Sequence, residues 1–385
     1  MKSSILLFLL LLLLVSCNKE DWEYNFIGTF RNYRTFTGRI NANDNSSIID
    51  RDENVLICGN NQDFVSILKI SKRGKKIWQK DYSTWDNPKA NALVQAANGD
   101  LFICGETLRN YADRRSDILL LKTNSRGDTL WAKTYGGESF DIGRCIITTS
   151  DGNLLIAAKT ESFGAGSYGD IYLVKVNLNG DTLWTRSYAD PAEQFPTHLM
   201  ETKDGNYLVT GNNWESGVDQ TPESYLLKVD RAGKKIWDRK YGPNDWMWSY
   251  SSVELSSGEI LTCGQITEDG YSQVLLLRAD PDGNYYRAKK YGDPRLTETG
   301  YSIRKNRDNS FTIAGTSYDA SNGLSEVIAF KIDENGMEQW FKRFGEAKFS
   351  DGLNLIKTPG NDNIITGNYN DKIFLTVLTD GGKFD

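Results

Sequence analysis

The chain of 385 residues holds one histidine, His198, four methionines, five cysteines and eight prolines. One histidine cannot build a zinc centre alone, and no Cys/His spacing supports one. Positive charge is in deficit, with 45 Lys and Arg against 51 Asp and Glu and a net charge of −6. That balance argues against nucleic-acid binding, which needs a basic face. Long hydrophobic runs are scarce. Ile5 to Val15 is an uninterrupted apolar run of eleven residues, too short to span a bilayer as a helix but suited to the core of a signal peptide. No segment carries a helical period, a Gly-x-Ser-x-Gly elbow or a glycine-rich phosphate loop.

What the chain does contain is glycine (35) and aromatic residues (10 Trp, 19 Tyr, 16 Phe), a β-rich composition. These residues recur periodically. Gly74, Gly127, Gly180, Gly233, Gly283 and Gly336 are spaced 53, 53, 53, 50 and 53 residues apart. Four residues after each comes Trp78, Trp131, Trp184, Trp237, then Arg287 as an exception, then Trp340. A second ladder, Gly59, Gly105, Ala158, Gly211, Gly264, Gly315 and Gly367, has seven members. Within the third period, RCIITTSDGNLLIAAKT gives two apolar runs around Asp151-Gly152, and DIYLVKVNLNGDTLWTRSY gives two more around Asn179-Gly180. An Asp-Gly pair so placed predicts a type I′ hairpin. Four antiparallel strands per roughly 50 residues, seven times over, predict an all-β, seven-bladed β-propeller.

The last repeat stops at Asp385, before a fourth strand, while residues 26–37 precede the first repeat without a partner. Phe36-Thr37-Gly38 parallels Tyr135-Gly136-Gly137, so residues 26–37 are expected to complete the seventh blade and close the ring. The repeated tryptophan starts each outer strand, where burial against the next blade stabilises by roughly 2–3 kcal/mol. Cys58, Cys104 and Cys263 fill a slot occupied elsewhere by Ala157, Thr210, Ala314 and Thr366, which marks them as core residues outside any disulfide. Lysine and arginine, one or two per repeat, read as solvated strand faces.

The run Asp230-Arg-Ala-Gly233-Lys-Lys-Ile-Trp237 resembles the tryptophan-docking repeat of quinoprotein-like propellers, one residue shorter between Asp and Gly. SDGNLLIAAKT…DIYLVKVNLNGDTLW resembles propeller repeats common in exported Bacteroidetes proteins. The resemblance spans Tyr24 to Asp385 and implies the fold. Without an adjacent cysteine pair or a quinone or calcium motif, it implies neither dehydrogenase activity nor a cofactor. The lipid-anchored propeller scaffold of the outer-membrane assembly machinery is similar, with eight blades. GNLLI followed by GDTLW is also similar to bulb-type lectin repeats, though their mannose motif is absent. Ahead of the propeller, Leu14-Val15-Ser16-Cys17 resembles a bacterial lipobox, and Lys19-Glu20-Asp21 resembles the surface-export tag of Bacteroidetes lipoproteins. Together these imply a signal peptide over 1–16, a lipid on Cys17, a tether over 17–25, a propeller over 26–385, and an outer-membrane, cell-surface location.

Function is sought in residues that break the repeat. His198 fills an inner-strand slot held elsewhere by Ser46, Ala92, Cys145, Ser251, Ser302 and Asn354, beside the expected channel. Asp190 with Glu193 and Asp293 with Glu298 form loop carboxylate pairs of the kind glycosidases use, so a carbohydrate-active hydrolase or lyase is the alternative reading. Trp85, Trp246 and Trp248 fall between blades and Trp214 between the second and third strands of its blade. Those two connection classes emerge on one face, together with Tyr111, Phe140, Phe163, Tyr168, Phe195, Tyr271 and Tyr318. The expected site is Trp85, Trp214, Trp246, Trp248, Tyr250 and His198 on a long-looped aromatic face. It would bind a glycan or an envelope protein without catalysis, metal or cofactor. The chain is expected to be monomeric.

Overall fold

Seven antiparallel sheets of four strands each follow one another along the chain in the computed structural model. Six form from consecutive strands, over residues 47–82, 89–135, 141–188, 193–241, 246–291 and 297–347. The seventh joins residues 349–378 to Tyr33–Thr37, which pairs antiparallel with Lys372–Leu378 from Tyr33↔Thr376 to Thr37↔Lys372. The first strand of each blade touches that of the next, and the seventh touches the first, so the ring closes around an axial channel. The structure describes residues 33–37, 46–83, 86–110, 115–164, 169–214, 221–242, 246–268, 270–347, 349–369 and 372–384, and none of these is helical. The seven-bladed, all-β expectation holds, and so does closure by the N-terminal strand. The signal peptide, Cys17 and the tether lie outside the described residues.

The hairpins correct the sequence reading. At Asp151-Gly152 the Gly152 amide donates to the Thr149 carbonyl and the Thr149 amide to the Asn153 carbonyl, both at 2.9 Å. Gly152 takes φ +79°, while Asp151 stays out of the left-handed region. This is a type I turn followed by a left-handed glycine, one residue longer than type I′. Turns between third and fourth strands repeat the form for a visible reason. Asn177 Oδ1 accepts the Asn179 and Asp181 amides at 2.9 Å each, and Asp230 Oδ1 accepts those of Ala232 and Lys234 at 2.9 and 2.8 Å. An Asx side chain bridging two amides in this way needs the extra residue.

Those turns carry the seams between blades. The tryptophan of one blade lies on the turn glycine of the next: a Cβ added to Gly180, Gly233 or Gly283 would stand 2.8 Å from the ring of Trp131, Trp184 or Trp237 respectively. A tyrosine four residues after the tryptophan completes the contact at four seams. Tyr82, Tyr135, Tyr188 and Tyr241 donate their hydroxyls to the carbonyls of Gly127, Gly180, Gly233 and Gly283 at 2.8, 2.8, 2.6 and 2.6 Å. The repeated tryptophan is thus an inter-blade residue, as expected.

The third-strand lysines are a correction. Lys69, Lys122, Lys175, Lys228 and Lys331 are buried, not solvated. Each meets a carboxylate from the first hairpin of its own blade: Asp50 at 2.7 Å, Asp100 at 3.0 Å, Asp151 at 2.5 Å, Asp204 at 2.8 Å and Asp308 at 2.8 Å. Both faces of the third strand pack against neighbouring sheets, so a cation there must find its counter-charge within the turn. Cys58, Cys104, Cys145 and Cys263 are buried and form no disulfide, and burial pushes the Cys58 and Cys104 thiols upward.

Two outcomes follow for stability. Trp237→Ala removes a buried indole and costs about 3–5 kcal/mol, whereas Gly233→Ala, at φ +76° and against Trp184, costs more than about 1 kcal/mol; both are read from denaturant unfolding. For Asp151 and Asp204, burial raises the carboxyls, but the hydrogen bonds from Lys175 and Thr149, and from Lys228 and Thr202, outweigh it and hold both well below the usual carboxylate range. A carboxylate depressed in the folded state stabilises fully above its unfolded pKa of about 4 and loses that contribution as pH falls further. Melting temperature is therefore expected to drop from about pH 5 to about pH 2, and to drop less in the D151N/D204N double variant.

Candidate functional site

The site assembles where blade 4 (193–241) meets blade 5 (246–291). Trp214 is the last residue of Tyr207–Trp214, opposite Glu193 and Pro222. Trp246 opens Trp246–Glu254 opposite Thr267, and Trp248 lies opposite Gln265. All three tryptophans are therefore on strand ends, not in the connections where the sequence placed them. Aromatic residues favour the pleated, half-buried surface, and their mutual packing prolongs the pairing. The Trp214 and Trp248 rings meet edge to face at 5.8 Å, and Phe195 meets Trp248 at 5.8 Å. Trp214 and Trp248 are half-buried, whereas Trp246 is 52% exposed. Beneath them Asn212 accepts the Ser249 amide at 2.7 Å and donates to its carbonyl at 3.1 Å, which holds the two blades in register.

Tyr250 owes its position to a β-bulge. Pairing shifts between Ser249 and Ser251, leaving Tyr250 unopposed. The same shift skips Asn91, Arg144, Thr197 and Tyr301 in other blades. Such bulges re-aim one side chain out of the ladder, and on an innermost strand the open side is the channel. Tyr250 and Tyr301 meet there at 4.9 Å. His198 follows the bulge in its own strand and is 6% exposed; its Nδ1 accepts the Ser252 amide at 3.4 Å. It serves the seam and is not presented to a ligand. Trp85 lies outside the described residues, as do Tyr111 and Tyr168. Four of the six expected residues (Trp214, Trp246, Trp248 and Tyr250) thus share one side of the channel mouth.

The loop carboxylates are engaged by cations. Lys240 holds Asp190 at 3.1 Å and Lys159 holds Glu193 at 2.6 Å. Arg295 holds Asp293 at 2.7 Å, and Arg343 holds the fully buried Glu298 at 2.7 Å. Phe163, although 41% exposed, stacks on Tyr172 at 4.9 Å, an aromatic folded back over its own blade. Sequence reasoning missed Arg144 and Tyr301, and ranked Phe195 only among the loop aromatics. A bulge is visible in pairing, not in residue type, although Tyr250 and Tyr301 recur 51 residues apart.

No protein-family model matches the chain. Over 285 residues it is 20% identical to an uncharacterized WD repeat-containing protein of Acanthamoeba polyphaga mimivirus, covering 63% of this chain and 19% of that protein. The chain thus spans about a fifth of the curated relative it matches. Among solved structures it superimposes on a protein of unknown function from Dyadobacter fermentans with a TM-score of 0.54 at 11% identity, over 90% of this chain and 99% of that one. A puromycin hydrolase matches with a TM-score of 0.54 at 12% identity, over 90% of this chain and 54% of the hydrolase. The likeness is one of fold.

The packing separates the tryptophans energetically. Trp246→Ala is expected to change unfolding free energy by no more than about 0.5 kcal/mol, and Trp248→Ala to cost about 1–2 kcal/mol through its two ring contacts, both measured in denaturant.

Proposed function

We propose that this chain is a non-enzymatic binding propeller that captures a glycan on the aromatic side of its channel mouth, held at the outer membrane by a lipid on Cys17. The observation that carries this reading is the Phe195–Trp248–Trp214 cluster with the half-exposed Trp246 beside it. Edge-on packing fixes the indoles, so their faces can take a sugar ring without first losing rotamer freedom. The Asn212–Ser249 bonds and Gln265, held by Thr299 and Ser272 at 2.7 Å each, make the floor rigid. Binding is favoured over hydrolysis because the carboxylates of the two loop pairs are each joined to a cation. Anchoring rests on the lipobox-like Leu14-Val15-Ser16-Cys17 and the acidic tag behind it.

The purified chain applied to a glycan array tests this. Binding that falls at least about tenfold in the Trp246→Ala/Trp248→Ala double variant supports capture. A defined envelope protein recovered by the chain, with no glycan bound, replaces capture by scaffolding. Release of reducing ends, lost on replacing a loop carboxylate, replaces it by catalysis.

A further inference from the structure

The five bulge residues described above occupy one level of the channel wall, and they differ in what they do there. Asn91 donates to the Gly143 carbonyl of the next blade at 2.7 Å, and Thr197 donates to the Ser249 carbonyl of its next blade at 2.9 Å. A short neutral side chain is therefore enough to link neighbouring inner strands from this position. Arg144 stands in the same place in blade 3 (141–188), between Asn91 on one side and Thr197 on the other. Its Nε is buried and has no hydrogen-bond partner. Arg144 as a whole is only half-buried, so the exposed part of a guanidinium that is not fully satisfied is open to an acceptor, best an oxyanion.

The surroundings point the same way. Among the bulge residues whose side chains are described, Asn91, Thr197, Tyr250 and Tyr301 are uncharged and Arg144 carries the charge. One level further in, the partly exposed positions are Ile48, Val94, Ile147, Met200 and Val253, with Arg304 in the sixth blade, 297–347. The Arg304 guanidinium reaches Ser251 Oγ at 3.3 Å and Asn354 Oδ1 at 3.4 Å, one on each neighbouring blade, which places it on the channel side of the ring. Thus a protein of net charge −6 carries arginine as the charged type among these described wall residues. A recess between low-dielectric walls concentrates such a field on an entering anion. The aromatic cluster lies at the mouth of this recess, since Phe195 and Trp248 are two residues before Thr197 and Tyr250 on the same strands.

We propose that the glycan recognised at the mouth is an acidic one, and that Arg144 receives its carboxylate inside the channel while a sugar ring stacks on Trp248. This rests on the glycan-binding reading above and narrows it to uronate-bearing chains. A carboxylate offers the guanidinium two parallel acceptors, the geometry arginine is built to pair with.

The test compares an oligogalacturonate with its fully methyl-esterified form, titrated into the purified chain by calorimetry at low and at high salt. The acid form is expected to bind about tenfold more tightly at low salt, with the advantage shrinking as salt rises. Arg144→Gln is expected to abolish the advantage while leaving the ester unchanged, and Arg144→Lys to restore part of it. Melting temperatures of the two variants within a degree or so of the parent show that the seam is intact, in keeping with Asn91 and Thr197 at equivalent positions. Equal affinity for acid and ester overturns the role of Arg144 and leaves glycan capture standing. Failure of both forms to bind overturns this proposal, and if the array is also blank, it overturns the glycan reading with it.

Discussion

The contact between the indole of one blade and the turn glycine of the next is what the ring depends on. It imposes two demands on one residue: a left-handed φ to finish the turn, and no Cβ where the indole lands. Glycine alone meets both, which is why the glycine and the tryptophan keep step through the sequence. The tyrosine hydroxyl then ties the same glycine's carbonyl, so apolar contact and hydrogen bond converge on a single backbone unit. Two seams show how the parts substitute for one another. Where Arg287 replaces the tryptophan, Tyr291 still donates to the Gly336 carbonyl at 2.6 Å. Where Phe344 replaces the tyrosine, the Trp340 indole N–H donates to the Asp380 carbonyl at 3.1 Å, and Phe344 packs edge-on against Phe384 at 5.2 Å.

Nearer the short-turn face, charge does a related job. A lysine on the third strand and a carboxylate in the first hairpin neutralise each other inside five of the blades, Arg278 and Glu259 do so in blade 5, and several lysines reach further. Lys175 donates to the Tyr207 hydroxyl at 2.7 Å, Lys122 to the Leu178 carbonyl at 3.1 Å, and Lys331 to Asp380 at 2.6 Å, each in the following blade. Buried ion pairs are weak sources of net stability, but they penalise misregister strongly, because a slipped strand leaves a bare charge between two sheets. Indoles thus supply cohesion at the outer edge, and the lysines supply register within.

The fold was legible because periodicity is an arithmetic property of the sequence. Seven small residues in one ladder counted the blades, and a spare strand at one end matched a missing strand at the other. Fine geometry was less legible. Asp151-Gly152 suits two turn types, and backbone hydrogen bonds decide between them. Lys175 looks like a surface residue in an alternating strand until both faces of that strand are seen to be covered. At the proposed site, the tryptophans out of period converge on one side of the channel mouth, whereas His198, an odd member of its ladder, is buried in the seam between blades. Arg144 carried no signal, because a bulge exists only in the pairing between two strands.

Ring closure has a consequence in time. Tyr33 pairs with Thr376, so the outermost strand of the last blade precedes the six other blades in the chain and is placed only after them. Each of the other six sheets can form from strands adjacent in the chain, whereas this one must wait until Lys372–Leu378 has emerged. Contacts of such sequence separation pay loop-closure entropy late and slow the final step of folding. Until Tyr33–Thr37 docks, the ring is open and Lys372–Leu378 presents an unpaired strand edge. The same strand that seals the ring thus couples its closure to the presence of all seven blades.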